Sequence, residues 1–68
     1  MDKTKVGETL RQLRTSKGLS QTELGKILGY SHRTVSDWEN GKTEPNINAF
    51  KAIVKFFDIT YEEFFGDI

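Results

Sequence analysis

The chain has 68 residues, with ten Lys or Arg against ten Asp or Glu, and it contains no cysteine. This length predicts one small domain, residues 1–68, near the lower size limit for a single hydrophobic core. The lack of cysteine excludes disulfides and thiolate metal sites, and no apolar run approaches the roughly 20 residues that span a bilayer. Because the N-terminus also has no signal-peptide pattern, we expect a soluble, cytoplasmic protein with no membrane partner.

The net charge of zero hides an uneven distribution of charge along the chain. Residues 1–42 carry eight Lys or Arg and five Asp or Glu, whereas residues 43–68 carry two and five. A neutral domain with this distribution can still present a basic face to an anionic partner. An ordinary mixed surface would give a similar split, so charge alone does not identify the partner.

Apolar spacing and capping residues predict the first two helices. Val6, Leu10 and Leu13 lie at i, i+4 and i+7, which predicts a helix over about residues 5–17, followed by Gly18. The sequence Ser-Gln-Thr-Glu at 20–23 is a capping box. It predicts a second helix that extends to about residue 28 and is followed by a glycine turn.

Three further helices are predicted towards the C-terminus. The third follows Ser31 and ends near Asn40, with a glycine directly behind it. Asn46 caps a fourth helix that extends to about residue 57. Thr-Tyr-Glu-Glu at 60–63 is a second capping box, which opens a short fifth helix towards residue 65. The expected fold is all-α, with five short helices around one core.

The fourth predicted helix carries two apolar stripes. We predict that one stripe faces the core, and it consists of Ile47, Phe50, Ile53, Val54 and Phe57. The second stripe flanks the first and consists of Ala49, Ala52 and Phe56. Phe56 either packs against the fifth helix, with Phe64 and Phe65, or lies in a contact between two copies. The first alternative is favoured because so short a chain has little core to spare.

The joint between the second and third helices predicts two helices that cross steeply about a short turn. Only a few residues link them, and Gly25 lies where the two helices would meet. A residue without a side chain permits close approach there, although glycine costs about 1 kcal/mol relative to alanine in an isolated helix.

The third predicted helix has one apolar and one polar face. At about 100° per residue, Val35 and Trp38 point to the core, with Glu39 on the border. The opposite face consists of His32, Arg33, Ser36, Asp37 and Asn40. Its first turn has cations and no acid, so the side chains and the helix dipole together favour an anionic ligand. The major groove of B-DNA, about 12 Å wide, accepts a helix of this size.

Residues 19–45, LSQTELGKILGYSHRTVSDWENGKTEP, resemble the helix-turn-helix of the Cro and phage-repressor (XRE-like) DNA-binding proteins. The similarity extends from about Val6 to Phe65, and it includes Leu13-Arg14, the S-Q-x-E-L start of the second helix, the W-E-N-G end of the third and the following proline. The sequence departs from the family at Gly25, where alanine is common, and at Asp37, because acids are less usual near phosphates. The resemblance implies a compact five-helix, lambda-repressor-like fold with the helix-turn-helix at about 20–40.

The resemblance also implies roles for individual residues. Gln21 matches a position that contacts a phosphate and braces the recognition helix. His32, Arg33 and Asp37 match base-edge positions, where Arg33 would pair with guanine and Asp37 would either accept from cytosine or hold Arg33. The positions expected to contact the DNA backbone are Thr34, Asn40 and Lys42, and Ser36 shares the polar face with them.

Two charged residues match structural positions of the same family. Arg14 and Glu39 correspond to an ion pair between the first and third helices, which we expect to be partly buried. Removing one partner of such a pair is costly because the other charge stays desolvated and alone.

The function implied by the resemblance is sequence-specific binding of double-stranded DNA by a transcriptional regulator, with repression favoured. Such proteins commonly read two half-sites about 34 Å apart, which predicts an inverted-repeat operator, while the sequence leaves monomer and homodimer open. A protein-interaction or antitoxin-type module on the same fold is the alternative.

Catalysis is not expected from this sequence. His32 is the only histidine, and without cysteine the chain lacks the ligand cluster that a zinc site needs. Ser31 and His32 are neighbours on a helix, where adjacent side chains diverge and do not meet as a catalytic pair. We predict no cofactor, no metal and no small-molecule site.

Overall fold

The computed structural model describes residues 3–65, which form five α-helices and no strand. The helices are α1 (Lys3–Ser16), α2 (Gln21–Leu28), α3 (His32–Glu39), α4 (Ile47–Phe57) and α5 (Tyr61–Phe65). The all-α prediction is confirmed, and the first helix begins about two residues earlier than predicted. The predicted domain, 1–68, extends at both ends beyond the described residues. None of the described helices is long and apolar enough to cross a membrane.

Side-chain caps explain where the helices begin. The Ser20 hydroxyl accepts from the Glu23 amide at 3.0 Å, and the Glu23 carboxylate accepts from the Ser20 amide at 2.8 Å. Thr60 and Glu63 repeat this reciprocal pair at 3.0 and 2.9 Å. The Asn46 side chain accepts from the third amide of α4 at 2.8 Å. Each cap satisfies amides that have no partner inside the helix, so the predicted starts are confirmed.

The core lies where α1, α2 and α3 meet, and α4 and α5 close it from the other side. Edge-to-face aromatic pairs join Tyr30 to Trp38 at 4.9 Å and Phe50 to Phe64 at 5.5 Å between ring centroids. The buried apolar side chains are Val6, Leu10, Leu24, Val35, Trp38, Ala49, Ile53, Phe57 and Phe64.

The predicted inward stripe of α4 is wrong at its first residue. Ile47 is 64% exposed, whereas Ala49, which we placed in the flanking stripe, is fully buried. The buried row of α4 is Ala49, Ile53 and Phe57, spaced by four residues. Ile47 lies about 120° around the helix from Ile53, too far to share its face. The helix is therefore rotated so that its small alanine, and not its first isoleucine, meets the core.

Phe56 does not pair with the aromatic rings of α5. Its aromatic neighbour is Phe57 at 4.9 Å, and the Lys17 amine lies 5.5 Å from its ring centroid. The Phe64 and Phe65 rings of α5 pack against Phe50. Because the α5 rings that pair with α4 do so at Phe50, packing of Phe56 against α5 stays a prediction, as does its contact between two copies.

The turn between α2 and α3 depends on two glycines. Gly29 adopts a left-handed conformation, with φ of 88°, and the Tyr30 amide donates to the Gly25 carbonyl at 2.7 Å. A Cβ atom at Gly25 would lie 2.5 Å from the Tyr30 carbonyl oxygen. The predicted close approach therefore occurs, between α2 and the turn that leads into α3.

Candidate nucleic-acid interface

The rotation of α3 about its axis places its apolar residues inside and its polar residues outside. Val35 is fully buried and Trp38 is 3% exposed, as their spacing predicts. His32, Arg33 and Asn40 are exposed on the other side, and Thr34, Ser36 and Asp37 are half-buried beside them. All six side chains of this outer face carry hydrogen-bonding groups, so the face can bind a polar or anionic ligand.

The first turn of α3 contributes positive electrostatic potential. The Ser31 hydroxyl accepts from the Thr34 amide at 3.2 Å and lies 3.0 Å from the Thr34 hydroxyl. Because the turn contains no acid, the helix dipole is not neutralised there, and His32 and Arg33 add donors at the same end.

Arg33 and Asp37 are not paired with each other in the structure. The salt bridges within residues 3–65 join Arg11 and Arg14 to Glu39, and none involves Arg33 or Asp37. Of the two roles left open for Asp37, holding Arg33 one turn away is not the arrangement observed. The Arg33 guanidinium is thus left without a carboxylate partner in the described part of the chain.

A Schellman motif ends α3 and fixes the position of Lys42. Gly41 has φ of 76°, and its amide donates to the Trp38 carbonyl at 3.3 Å. The Lys42 amide donates to the Asp37 carbonyl at 2.9 Å. This pair of bonds is the usual end of a helix at glycine, and it turns the chain sharply. Lys42 is exposed just beyond the outer face.

Behind the outer face, the carboxylate of Glu39 is held by a network of donors. Its side chain has no solvent exposure, and the Arg14 guanidinium donates to its two oxygens at 2.7 and 3.1 Å. The Gln21 amide donates at 3.0 Å, so α1, α2 and α3 are tied together at one carboxylate. Arg14 also donates to the Leu19 carbonyl at 2.7 Å.

This network sets the protonation state of Glu39. Burial alone raises the pKa of the carboxyl, but hydrogen bonds from Arg14 and Gln21 and the charge of Arg14 outweigh burial and hold the pKa below its usual value. Glu39 is therefore ionised at neutral pH and paired, and the described residues contain no buried side-chain polar atom without a partner.

The structure brings most of the predicted residues to one side of the molecule and separates two of them. Arg14 and Glu39 lie behind α3 as an ion pair. Gln21 is half-buried between that pair and the surface, so its bracing contact is present. Of the remaining seven, six lie along the outer face of α3, and Lys42 extends the line past Asn40.

Sequence reasoning missed Gly7 and Arg11. A Cβ atom at Gly7 would clash with the carbonyl oxygens of Glu39 and Trp38, so α1 crosses the end of α3 closely at this glycine. Arg11 lies one turn later and reaches Glu39 and Asn40, both at 3.5 Å. The spacing of 7, 11 and 14 on one face of α1 was the available signal, because Arg14 was already assigned to Glu39.

In this all-α domain, α2 supports α3, a tight turn with glycines joins the two helices, and α3 presents a polar outer face. A domain with this arrangement belongs to the helix-turn-helix class. The Helix-turn-helix family model matches residues 10–64, and the chain belongs to this family. The resemblance to Cro and phage-repressor proteins is thereby confirmed.

Similar proteins include both an activator and a repressor. The chain is 46% identical over 56 residues to the HTH-type transcriptional activator BcrR of Enterococcus faecalis, covering 82% of the chain and 28% of BcrR. It is 38% identical over 50 residues to repressor protein C2 of Salmonella phage P22, covering 74% of the chain and 23% of C2. The chain thus spans about a quarter of the length of these two relatives.

A solved structure shares the whole fold. The crystal structure of the restriction-modification controller protein C.AhdI from Aeromonas hydrophila superposes with a TM-score of 0.86 and 34% identity. The match covers 94% of the chain and 97% of C.AhdI. The chain therefore has the same fold as this controller protein.

Proposed function

We propose that the chain is a sequence-specific, double-stranded DNA-binding domain of a transcriptional regulator, with α3 inserted in the major groove. The observation that carries this proposal is the outer face of α3. Its first turn is cationic and contains no acid, and its polar side chains are not paired with buried groups of the domain. The Glu39 network holds α3 against α1 and α2. Family membership and the regulators among its relatives support the same function.

The proposed contacts divide into two kinds. His32, Arg33 and Asp37 read base edges, with Arg33 donating to guanine O6 and N7 and Asp37 accepting from cytosine N4. The residues that hold the sugar–phosphate backbone are Gln21, Thr34, Asn40 and Lys42, with Ser36 between the two sets. Contacts of the second kind fix the position of α3 on the duplex and carry no sequence information.

We further propose that two copies bind one operator. One copy presents a single α3, whereas the two half-sites of one operator lie ~34 Å apart along the duplex. One copy therefore reads one half-site, and a symmetric pair reads an inverted repeat. Light scattering in solution and a footprint on the operator test this pairing separately.

The proposed regulatory action is steric. A domain seated in an operator that overlaps a promoter blocks polymerase or a competing protein, which is repression without catalysis. A cytoplasmic location is part of the same proposal. A promoter–reporter assay tests whether the protein represses or activates, since raising its concentration should lower expression if it represses.

The decisive experiment for the proposed function is selection of bound duplexes from random DNA, repeated at two salt concentrations. We expect an enriched inverted repeat and an affinity that falls as salt rises, because bound phosphates release counterions. Absence of enrichment together with a flat salt dependence would contradict DNA binding. That result would favour a protein-interaction module, for which the groove between α2 and α4 at Ile27 and Phe56 offers one apolar surface.

A further inference from the structure

Arg11 on α1 is a cation beside the outer face of α3 that none of the roles above uses. We propose that Arg11 is a further phosphate-binding residue of the DNA interface, so that α1 contributes one edge of it. The proposal rests on the proposed function, because it needs a duplex seated on α3.

The close crossing at Gly7 determines where Arg11 lies. Because α1 meets the backbone of Trp38 and Glu39 at that glycine, the next turn of α1 runs alongside the C-terminal end of α3. The Arg11 Nη2 atom lies 3.5 Å from the Asn40 Oδ1 atom. Arg11 therefore reaches the same end of α3 as Asn40 and Lys42, the two proposed backbone contacts there.

Glu39 does not need Arg11 as a partner. Its Oε2 atom accepts from Arg14 at 2.7 Å, and its Oε1 atom accepts from Arg14 at 3.1 Å and from Gln21 at 3.0 Å. The contact from Arg11 is longer, at 3.5 Å, and reaches an oxygen that already has two donors. Releasing Arg11 therefore leaves the buried carboxylate paired and hydrogen-bonded.

The exposure of the two arginines separates their roles. The Arg14 side chain is 14% exposed and committed to Glu39, whereas the Arg11 side chain is 54% exposed. A solvent-exposed guanidinium with weak contacts can turn to a phosphate at little cost, and its planar donors match phosphate oxygens in pairs. Arg14 is thus the structural member of the pair, and Arg11 is the member available to DNA.

The test measures affinity against salt concentration for the duplex selected by the wild-type chain and for a scrambled duplex. We compare wild type with Arg11→Gln, Arg11→Lys and Lys51→Gln, the last removing an exposed cation from α4. For Arg11→Gln we expect the salt slope to fall by about 0.9 on both duplexes, so that its affinity deficit shrinks about 3- to 4-fold between 50 and 200 mM salt. Arg11→Lys and Lys51→Gln should keep the wild-type slope.

A wild-type slope in Arg11→Gln would overturn the proposal, as would an equal loss in Arg11→Lys, because lysine keeps the charge. If Arg11→Gln did not fold, Arg11→Met would replace it in the same titrations, since methionine removes the charge and keeps an unbranched side chain. Arg11→Met should show the same fall in salt slope, and a wild-type slope in that variant would contradict the proposal. If wild type itself bound no duplex, the proposed function would fail as well, so the two failures are distinguishable.

Discussion

The charged residue on the inner side of α3 is paired within the fold, whereas the charged residues on the outer side are not. On the inner side, Glu39 is buried and receives three donors from α1 and α2. On the outer side, Arg33 and Asp37 are one turn apart and do not form a salt bridge. A buried charge must be paired within the fold, whereas an exposed charge is paired with water until a ligand replaces it. The difference separates residues that hold the helix from residues that bind.

This comparison also explains why a small core suffices. The chain has no cysteine to cross-link it, and the described helices are 5 to 14 residues long. Short helices are marginal alone, so their orientation depends on tertiary contacts. The Glu39 network supplies such contacts at the point where α1, α2 and α3 meet, and it fixes the helix whose outer face is proposed to meet DNA.

The largest expected effect comes from breaking the inner side. Glu39→Gln leaves Arg14 buried without its carboxylate, and we expect the free energy of unfolding to fall by about 3 kcal/mol or more. Chemical denaturation measures this loss, with Glu8→Gln on the exposed side of α1 as the matched control. Equal stability of the two variants would mean that the network does not hold α3.

The same variant should change how stability depends on pH. Hydrogen bonds and the charge of Arg14 hold the folded-state pKa of Glu39 below the ordinary pKa of an unfolded glutamate. Its contribution is therefore complete above the unfolded pKa and is lost as the pH falls through the folded pKa. Wild type should lose stability between about pH 5 and its acid transition more steeply than Glu39→Gln. Parallel curves for the two proteins would contradict the pairing.

On the outer side, Arg33→Ala should change recognition and leave the fold intact. We expect the preference at one base pair per half-site to weaken by about 1–3 kcal/mol, since one bidentate contact is removed. Repeating the duplex selection with the variant measures this, and thermal unfolding provides the control. Retention of the full wild-type preference would exclude Arg33 as a base-reading residue.

The crossing of α1 over α3 gives a smaller effect on stability. A methyl group at Gly7 would meet two backbone carbonyls of α3, so Gly7→Ala should cost about 1–2 kcal/mol after the gain in helix propensity. Denaturation measures the loss, and Gln12→Ala at an exposed position of the same helix is the control, expected within about 0.5 kcal/mol. A stabilised Gly7→Ala protein would show that the crossing is looser than the structure indicates.

The smallest effect is expected at the edge of the outer face. Lys42→Ala should weaken binding to specific and scrambled duplexes alike and reduce the salt slope by about one, because a phosphate contact carries no sequence information. Titrations at several salt concentrations measure the slope. A variant that lost preference for one base, as Arg33→Ala should, would remove the division between reading and anchoring residues.

Local signals in the sequence were sufficient to predict the helices. Ser20, Asn46 and Thr60 each cap a helix with the side chain. Each side chain accepts from a backbone amide only three residues further along the chain. Such interactions depend on neighbours along the chain, so the pattern identifies them directly. The rotation of α3 was also predictable, because Val35 and Trp38 lie three residues apart on a helix whose other side is polar.

Contacts between distant segments were not predictable in the same way. Ile47 was expected in the core and is 64% exposed. The rotation of α4 is not fixed by its own sequence, because it depends on how closely the helices opposite approach at Ala49. The roles of Gly7 and Arg11 depend on where α1 crosses α3, at least 28 residues away along the chain. The DNA contacts depend on a partner that the sequence does not contain, and they remain predictions.

Chemical-shift mapping of the isotopically labelled chain, titrated with its selected duplex, tests most directly whether the outer side of α3 is the binding surface. We predict that backbone amides of residues 32–37, 40 and 42 shift most, while those of the buried row of α4 stay nearly unchanged. If the largest shifts instead lay around Ile27 and Phe56, with residues 32 and 33 unaffected, α3 would not be the part of this molecule that binds DNA.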